Sequence, residues 1–438
     1  EIITYCFKYE SFFKIDEDSI RYLKSVEALL FIAVEVEGYR SNVLDQLRKN
    51  RKVAPKTILA IIESQFGYGY HLDGNASVTS ESLAHYSNED FAESASYLLS
   101  VFEEEIGLDL EHLNYIDPCV SQDDIYLRML ISGCKIQQYI KAEILVNSFG
   151  YSAYIVDKSK VVIESTDLNL EKSIRLGYIQ TEFQMRIREH KLSLLNNCGM
   201  PSLEQVAAEI FKNYSANFVP LKREPIERYA LQLPAIPQFL AIFSSDTIFL
   251  EEIYSLMLLD MGNYGSEVLD SYVVSNGVTI LDILKIQRFF RFINYMFIKA
   301  LEANSNIGDT ALLMLNTILP VMNHANIKVA LGIFLPPEKI DYCLELICSD
   351  IGSSNNFDIQ YTPIISIDEG NIIAPAILSG SNLVRNILCN FSLRPSLKGR
   401  EDPKQEEIAT ELKKKGFRVE TECYLYGRSL ETDILAVK

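Results

Sequence analysis

The strongest constraint on the fold is a helical spacing of apolar residues between Leu168 and Asn304. Over this stretch apolar residues recur at steps of three and four, the spacing that places them on one face of a helix. Helices of this kind must bury their apolar faces against one another, so the stretch predicts a helical bundle. Its predicted helices are Leu170–Leu192, Leu203–Tyr214, Asp246–Leu259 and Thr279–Glu302.

The regions on either side predict more helices and a few hairpins. Asn88 is a candidate helix N-cap, and Ser121 with Asp124 opens a long helix that reaches about Ser148. Alternation of apolar and polar residues predicts two hairpins. The remaining predicted segments are a hairpin at Tyr151–Val156 and Lys160–Glu164, helices at Asp309–Leu319, Pro337–Ser349 and Ser381–Cys389, and a hairpin from Phe357 to Ala374.

Length and pattern together predict about three domains for the 438 residues. They are a mixed α/β region at 1–165, a helical region ending in a β hairpin at 166–392, and the start of a different domain at 393–438. The predicted fold class is therefore mostly α with small β hairpins, followed by the start of an α/β domain.

The charge balance excludes a protein that binds nucleic acid over its whole surface. The chain has 41 Lys and Arg against 59 Asp and Glu, a net charge of −18. Two groups of basic residues stand out. One interpretation of each group is that it contacts phosphates; the other is that it forms a solvated face or pairs with acids such as Glu251 and Glu252. The two groups are the flexible-looking cluster Arg48, Lys49, Arg51, Lys52 and Lys56, and the helical face of Lys285, Arg288, Arg291 and Lys299.

The cysteines and the apolar runs indicate a reduced, cytoplasmic protein without a membrane span. Eight cysteines are scattered with no CxxC pair, so their spacing predicts neither a zinc site nor a disulfide framework. Prolines and charges interrupt the longest apolar runs, and such residues are costly inside a bilayer.

The last forty residues carry the pattern most informative about function. Pro403–Lys415 predicts an amphipathic helix with Ile408 and Leu412 inward, closed by Gly416. Phe417–Leu425 then alternates as a strand, and a second strand, Thr432–Val437, carries Asp433 near its start.

This order of helix, Gly-Phe-x-Val and Asp-Ile-Leu-Ala resembles the start of the restriction-endonuclease-like PD-(D/E)XK nucleases of Mrr-type and NERD-type. The resemblance covers about 395–438 and implies that 393–438 begins an α/β restriction-endonuclease-like domain. It implies that Asp433 is the first acid of a catalytic metal site, with Glu406 on the preceding helix as a second acid and Glu407 as the alternative.

The resemblance also implies DNA as substrate and Mg²⁺ or Mn²⁺ as cofactor. In that family the strand Asp and a Glu or Gln two residues before a Lys, on the next strand, hold the metal. This sequence stops before such a strand, and it begins with Glu1 rather than Met. We therefore expect both ends to be limits of the segment, an incomplete active site here, and metal binding only by the complete site.

Two functional hypotheses follow. The first is a cytosolic, metal-dependent endonuclease, a phosphodiesterase whose helical region recognises a trigger, a protein partner or DNA; defence against foreign DNA is the commonest setting of the family. The alternative is a non-enzymatic helical scaffold or interaction protein with a degenerate nuclease-like domain. In either case we expect the helical region at about 168–350 to mediate assembly with a protein partner or as a homodimer.

Overall fold

A computed structural model describes residues 2–9, 14–68, 86–107, 123–157, 160–232, 237–261, 273–303, 313, 316–352, 357–367, 370–389, 403–425 and 430–437. The chain is mostly helical, and its strands form small sheets of two to four strands. This confirms the predicted fold class of mostly α structure with small β parts.

Five helices and a hairpin form the N-terminal part. They are α1 (Ile2–Lys8), α2 (Glu17–Lys49), α3 (Ala54–Tyr68), α4 (Asn88–Ile106), α5 (Asp123–Phe149), β1 (Ser152–Asp157) and β2 (Lys160–Glu164). The cap of α4 differs from the prediction by one residue: Ser87, not Asn88, is the N-cap, and it forms a capping box with Asp90.

The middle of the chain contains the four predicted bundle helices and one short helix, Pro237–Ser244, that the pattern did not predict. They are α6 (Leu168–Asn197), α7 (Leu203–Phe218), α8 (Pro237–Ser244), α9 (Leu250–Met261) and α10 (Ile280–Ala303). Two short strand pairs separate them, β3 (Leu221–Lys222) with β4 (Arg228–Tyr229) and β5 (Val273–Ser275) with β6 (Val278–Thr279).

Short helices and a mixed sheet follow. They are β7 (Val321–Met322), α11 (His324–Leu331), α12 (Pro337–Ile347), β8 (Cys348–Ser349), β9 (Ile364–Ile367), β10 (Gly370–Ile373), α13 (Pro375–Gly380) and α14 (Leu383–Cys389). The C-terminal unit consists of α15 (Pro403–Lys414), β11 (Arg418–Leu425) and β12 (Leu430–Val437). The predicted helix Asp309–Leu319 falls largely outside the described residues.

The four-stranded sheet, of order β7-β10-β9-β8, lies between two large hydrophobic cores. Successive residues of a strand point to opposite faces of its sheet. Ile364 and Ile373, which pair across β9 and β10, belong to one core, while the adjacent pair Ile365 and Ile372 belongs to the other. One hairpin therefore supplies apolar side chains to both cores.

The cores combine distant parts of the chain. The first is built around α10 and includes residues of α7, α12 and α14. The second contains residues of α3, α4 and α5 together with residues between 318 and 377. Side chains from both sides of the predicted 165/166 boundary thus share this second core.

The short helix α13 lies where α3 and α10 meet, and side chains cap both of its ends. At its N-terminus the carboxyl group of Glu63, on α3, accepts the backbone N–H groups of Ala376 and Ile377. At its C-terminus Gln287 and Arg291, on α10, donate to backbone carbonyls of Leu378, Ser379 and Ser381. The carboxyl oxygens thus satisfy two amide donors that the first turn leaves unpaired, and the cation at the other end favours the helix dipole.

Two details of the predicted helices are wrong. The helix expected from Asp246 begins at Leu250, because carbonyls in the 242–247 segment accept bonds from a buried arginine, as described below. In α15 Ile408 is 49 % exposed, whereas Ala409 is buried and Leu412 partly buried, so the inward face contains Ala409 in place of the predicted Ile408.

Glu63 gives the folded state a testable pH dependence. Burial raises the pKa of Glu63 to about 8 from 4.5, so between these values the carboxyl is protonated in the folded chain and ionised in the unfolded chain. The unfolded state then binds fewer protons, and the free energy of unfolding falls as pH rises through this window. Glu63→Gln, which imitates the protonated acid, should flatten that dependence by up to about 1.4 kcal/mol per pH unit.

Urea unfolding at pH 5, 6, 7 and 8 measures this slope. Glu37→Gln, an exposed change on α2, serves as the control and should keep the wild-type slope. An unchanged slope in Glu63→Gln would contradict the assignment of a neutral buried carboxyl.

Candidate functional site

The C-terminal unit has the local structure that the sequence pattern predicts. Gly416 has φ +83°, a left-handed conformation that ends α15, and the backbone N–H of Phe417 donates to the carbonyl of Leu412 at 3.0 Å. The chain then continues directly into β11, which pairs antiparallel with β12. Helix α15 packs against both strands.

The strand register fixes where Asp433 lies on the backbone. Thr421 pairs with Ile434 and Cys423 with Thr432, so position 433 lies between these pairs, across from position 422. Both positions are acidic in the sequence, Glu422 and Asp433. Like charges at directly opposite positions of a strand pair are destabilising.

The helix backbone distinguishes the two candidate glutamates. Ala409 is the buried residue of α15 among those whose side chains are described. Residues three or four apart share a helix face, so position 406 lies on the face of Ala409, whereas position 407 lies about 160° around the helix from it. The side chains of Glu406, Glu407 and Asp433 are outside the described part of the structure, so an approach of their carboxylates to about 4–7 Å, close enough to share a divalent ion, stays a prediction.

The basic face predicted on α10 is structural. Arg288 is completely buried, and all five of its N–H groups donate hydrogen bonds. Two reach the carboxylate of Glu252 on α9, at 2.6 and 2.9 Å, and three reach the carbonyls of Ile242, Ser245 and Thr247. The guanidinium also lies over the ring of Phe249, 4.9 Å from its centroid. Arg288 therefore holds the segment between α8 and α9 and has no N–H left for a phosphate.

The other basic residues of this face are also paired within the chain. Lys285 binds Asp246 at 2.7 Å, and Lys299 binds Glu302 at 2.9 Å. Arg291 donates to the carbonyl of Ser379 at 2.7 Å. Pairing with acids, including Glu252 as one of the expected partners, thus replaces the phosphate-binding interpretation of this face.

The basic cluster at 48–56 is also more ordered than expected. Arg48 and Lys49 end α2, and Lys56 is buried in the first turn of α3. These residues belong to the end of α2, the start of α3 and the short turn that joins the two helices, rather than to a flexible segment.

An open groove between α4 and α5 has a volume of about 500 Å³, and it was not foreseen from the sequence. Lys141 pairs with Glu93 at 2.6 Å inside it, and burial raises the pKa of Asp358 at one wall. The groove is lined by Glu93, Ser96, Tyr97, Ser100, Val101, Glu104, Gln137, Ile140, Lys141, Ile144, Phe357 and Asp358.

Buried thiols offer no activated nucleophile. Burial raises the pKa of Cys134, Cys343 and Cys348 to about 12, so these thiols stay protonated at neutral pH. Among the described residues, no three or more His, Cys, Asp or Glu side chains come together as a metal site, and no helix is both long and apolar enough to cross a membrane.

Comparisons with protein-family models, with curated proteins and with solved structures give no match. The nuclease interpretation of the C-terminal unit therefore stays a prediction from its sequence pattern.

The role of Arg288 can be tested by replacing it with lysine. An ammonium group has three donors instead of five and cannot bind a carboxylate bidentately, so Arg288→Lys should lower the free energy of unfolding by about 3 kcal/mol or more. Urea denaturation measures the loss. Lys285→Arg, at the half-exposed Asp246 pair, is the control and should change stability by less than about 1 kcal/mol. A similarly small loss for Arg288→Lys would contradict the account of this site.

Proposed function

We propose that this chain belongs to a metal-dependent DNA endonuclease, with the C-terminal unit as the first part of the nuclease domain and the helical region as its recognition or regulatory part. The observation that carries this proposal is the order of α15, the Gly416 turn and the antiparallel β11–β12 pair, with Asp433 within the second strand. That order is the one the resemblance implies.

The donor chemistry fits a hard divalent cation. Carboxylate oxygens are the ligands that Mg²⁺ and Mn²⁺ take in proteins, and Asp433 with Glu406 would supply them. When bound, the ion would activate a water molecule and stabilise the charge that develops on the scissile phosphate. Asp433 would hold the ion, and the facing acidic positions 422 and 433 would gain stability from its charge.

DNA would reach this unit through local positive charge, since the chain as a whole is acidic. Basic residues cluster where α15 ends and β11 begins, at Lys413, Lys414, Lys415 and Arg418. Lys414 and Arg418 pair with Glu411 and Glu420, but both pairs lie at the surface, where ion pairs are weak, and Arg418 is 85 % exposed. Phosphate contacts from such residues give sequence-independent, salt-dependent binding.

Asp433→Ala in the complete protein that contains this chain tests the proposal. Substitution of residues that only contact a metal ligand costs up to about 100-fold in activity. Removing a direct ligand should therefore lower Mg²⁺-dependent cleavage of plasmid DNA by at least about 100-fold. The melting temperature should change by no more than about 3 °C, because lost contacts are offset by relief of carboxylate repulsion.

Glu209→Ala is the control, an exposed acid on α7 outside the proposed site and its basic cluster, and should keep cleavage within about twofold of wild type. Undiminished cleavage by Asp433→Ala would contradict the site. A complete wild-type protein that cleaves no DNA with Mg²⁺ or Mn²⁺ would instead favour the non-enzymatic scaffold.

A further inference from the structure

Helix α6 is unusual in having thirty residues and no core. All thirty are described, and none of them is buried. At 1.5 Å per residue the helix is about 45 Å long. Isolated helices are marginal in water, and most helices in proteins are stabilised by packing an apolar face. Such a helix is expected to have a partner along much of its length.

One side of the helix has an intramolecular partner. Helix α6 packs against α9, and Met185, Leu192 and Leu195, in its C-terminal half, are partly buried. Their spacing of seven and three residues places them on one face. This contact fixes the C-terminal half of α6 to the body of the protein. On the same side of its N-terminal half Leu170, Ile174 and Tyr178 are 39–73 % exposed, and the opposite face is exposed along the whole helix.

The open face has a line of large apolar residues, which we call the apolar stripe. Its members fall within about 80° of one another around the helix axis, at 100° per residue. Each is between 51 % and 67 % exposed. The stripe consists of Leu168, Leu176, Ile179, Phe183 and Leu194.

The area of the stripe matches what a dimer needs. With roughly 150–200 Å² for a large apolar residue, the stripe exposes about 500 Å² per chain. A standard interface buries about 800 Å² per partner, of which about 56–65 % is apolar. The stripe therefore supplies the apolar part of one standard interface, and exposed patches of this size mark interaction surfaces.

We propose that the stripe docks against the same stripe of a second copy of this chain. Two identical apolar lines of equal length are self-complementary, and such a contact closes as a two-fold dimer without exposing a further apolar edge. Two cations lie in the same sector of the helix: Arg186 is paired with Glu182, and the stem of Lys172 can cover apolar surface while its ammonium group stays in water. The proposal gives a specific surface to the expected assembly of the helical region as a homodimer, and it does not depend on nuclease activity.

Light scattering after size-exclusion chromatography, at about 1–100 μM chain, tests it. The wild-type chain should be a dimer. The double variant Ile179→Glu with Phe183→Glu places two charges in the stripe of each copy and should weaken self-association at least about 100-fold, giving a monomer. Its thermal unfolding, extrapolated to low concentration, should match that of the wild type because both side chains are more than 60 % exposed.

Thr181→Glu is the matched control. It adds the same charge to the same helix at an exposed position, about 200° around the axis from both Ile179 and Phe183, and should remain a dimer. A wild-type chain that stays monomeric over the whole range would overturn the proposal, and so would a dimeric double variant.

A second apolar patch, Leu30, Phe31 and Val34 on α2, provides the competing contact. If Val34→Glu abolishes the dimer while the double variant keeps it, the interface lies on α2 and the stripe assignment is wrong. Asp433→Ala should leave the dimer intact. Loss of cleavage and loss of self-association can therefore be told apart.

Discussion

The arrangement of the helical region depends on a buried ion pair between Arg288 and Glu252. A guanidinium with no solvent contact must have each N–H paired, since an unpaired buried charge is strongly destabilising. The five bonds of Arg288 meet that requirement. Three of them bind backbone carbonyls in the last turn of α8 and in the segment between α8 and α9, so these carbonyls are held by a side chain. One side chain thus sets where α9 begins.

The neighbouring residue extends the same arrangement. Glu251 accepts the backbone N–H groups of Leu203 and Glu204 and the hydroxyl of Ser202, and so caps the N-terminus of α7. The first turn of α9 therefore fixes both α10 and α7, and α6 packs against the same helix. The direction in which the apolar stripe faces the solvent follows from this set of contacts.

Sequence periodicity predicted the long helices well, because the three- and four-residue spacing in α7 and α10 is a local signal. It could not show that Arg288 is internal, since the pattern of one helix does not contain its partner 36 residues away. The role of Glu63, which binds backbone more than 300 residues later, is likewise non-local. The four-stranded sheet combines a predicted hairpin with two very short strands, β7 and β8, that carry almost no alternation.

For the candidate site, the sequence predicted the helix, the turn and both strands correctly, because Gly416 and the alternation after it are local features. The identity of Asp433 as a metal ligand came from resemblance and not from periodicity, and the strand register adds its position across from Glu422. The groove between α4 and α5 could not be predicted, since Phe357 and Asp358 join it from a segment more than 200 residues later in the chain.

The central claim, that the Arg288–Glu252 pair organises the helical region, is tested most directly by a double-mutant cycle. Arg288→Met, Glu252→Leu and the double variant would be compared with wild type by urea denaturation. Each single change should lower the free energy of unfolding by about 3–5 kcal/mol, because it leaves one charge buried without its partner. The double variant leaves neither charge buried alone, so its loss should be smaller than the sum of the two single losses by at least about 2 kcal/mol. Losses that add to within about 0.5 kcal/mol would contradict the claim.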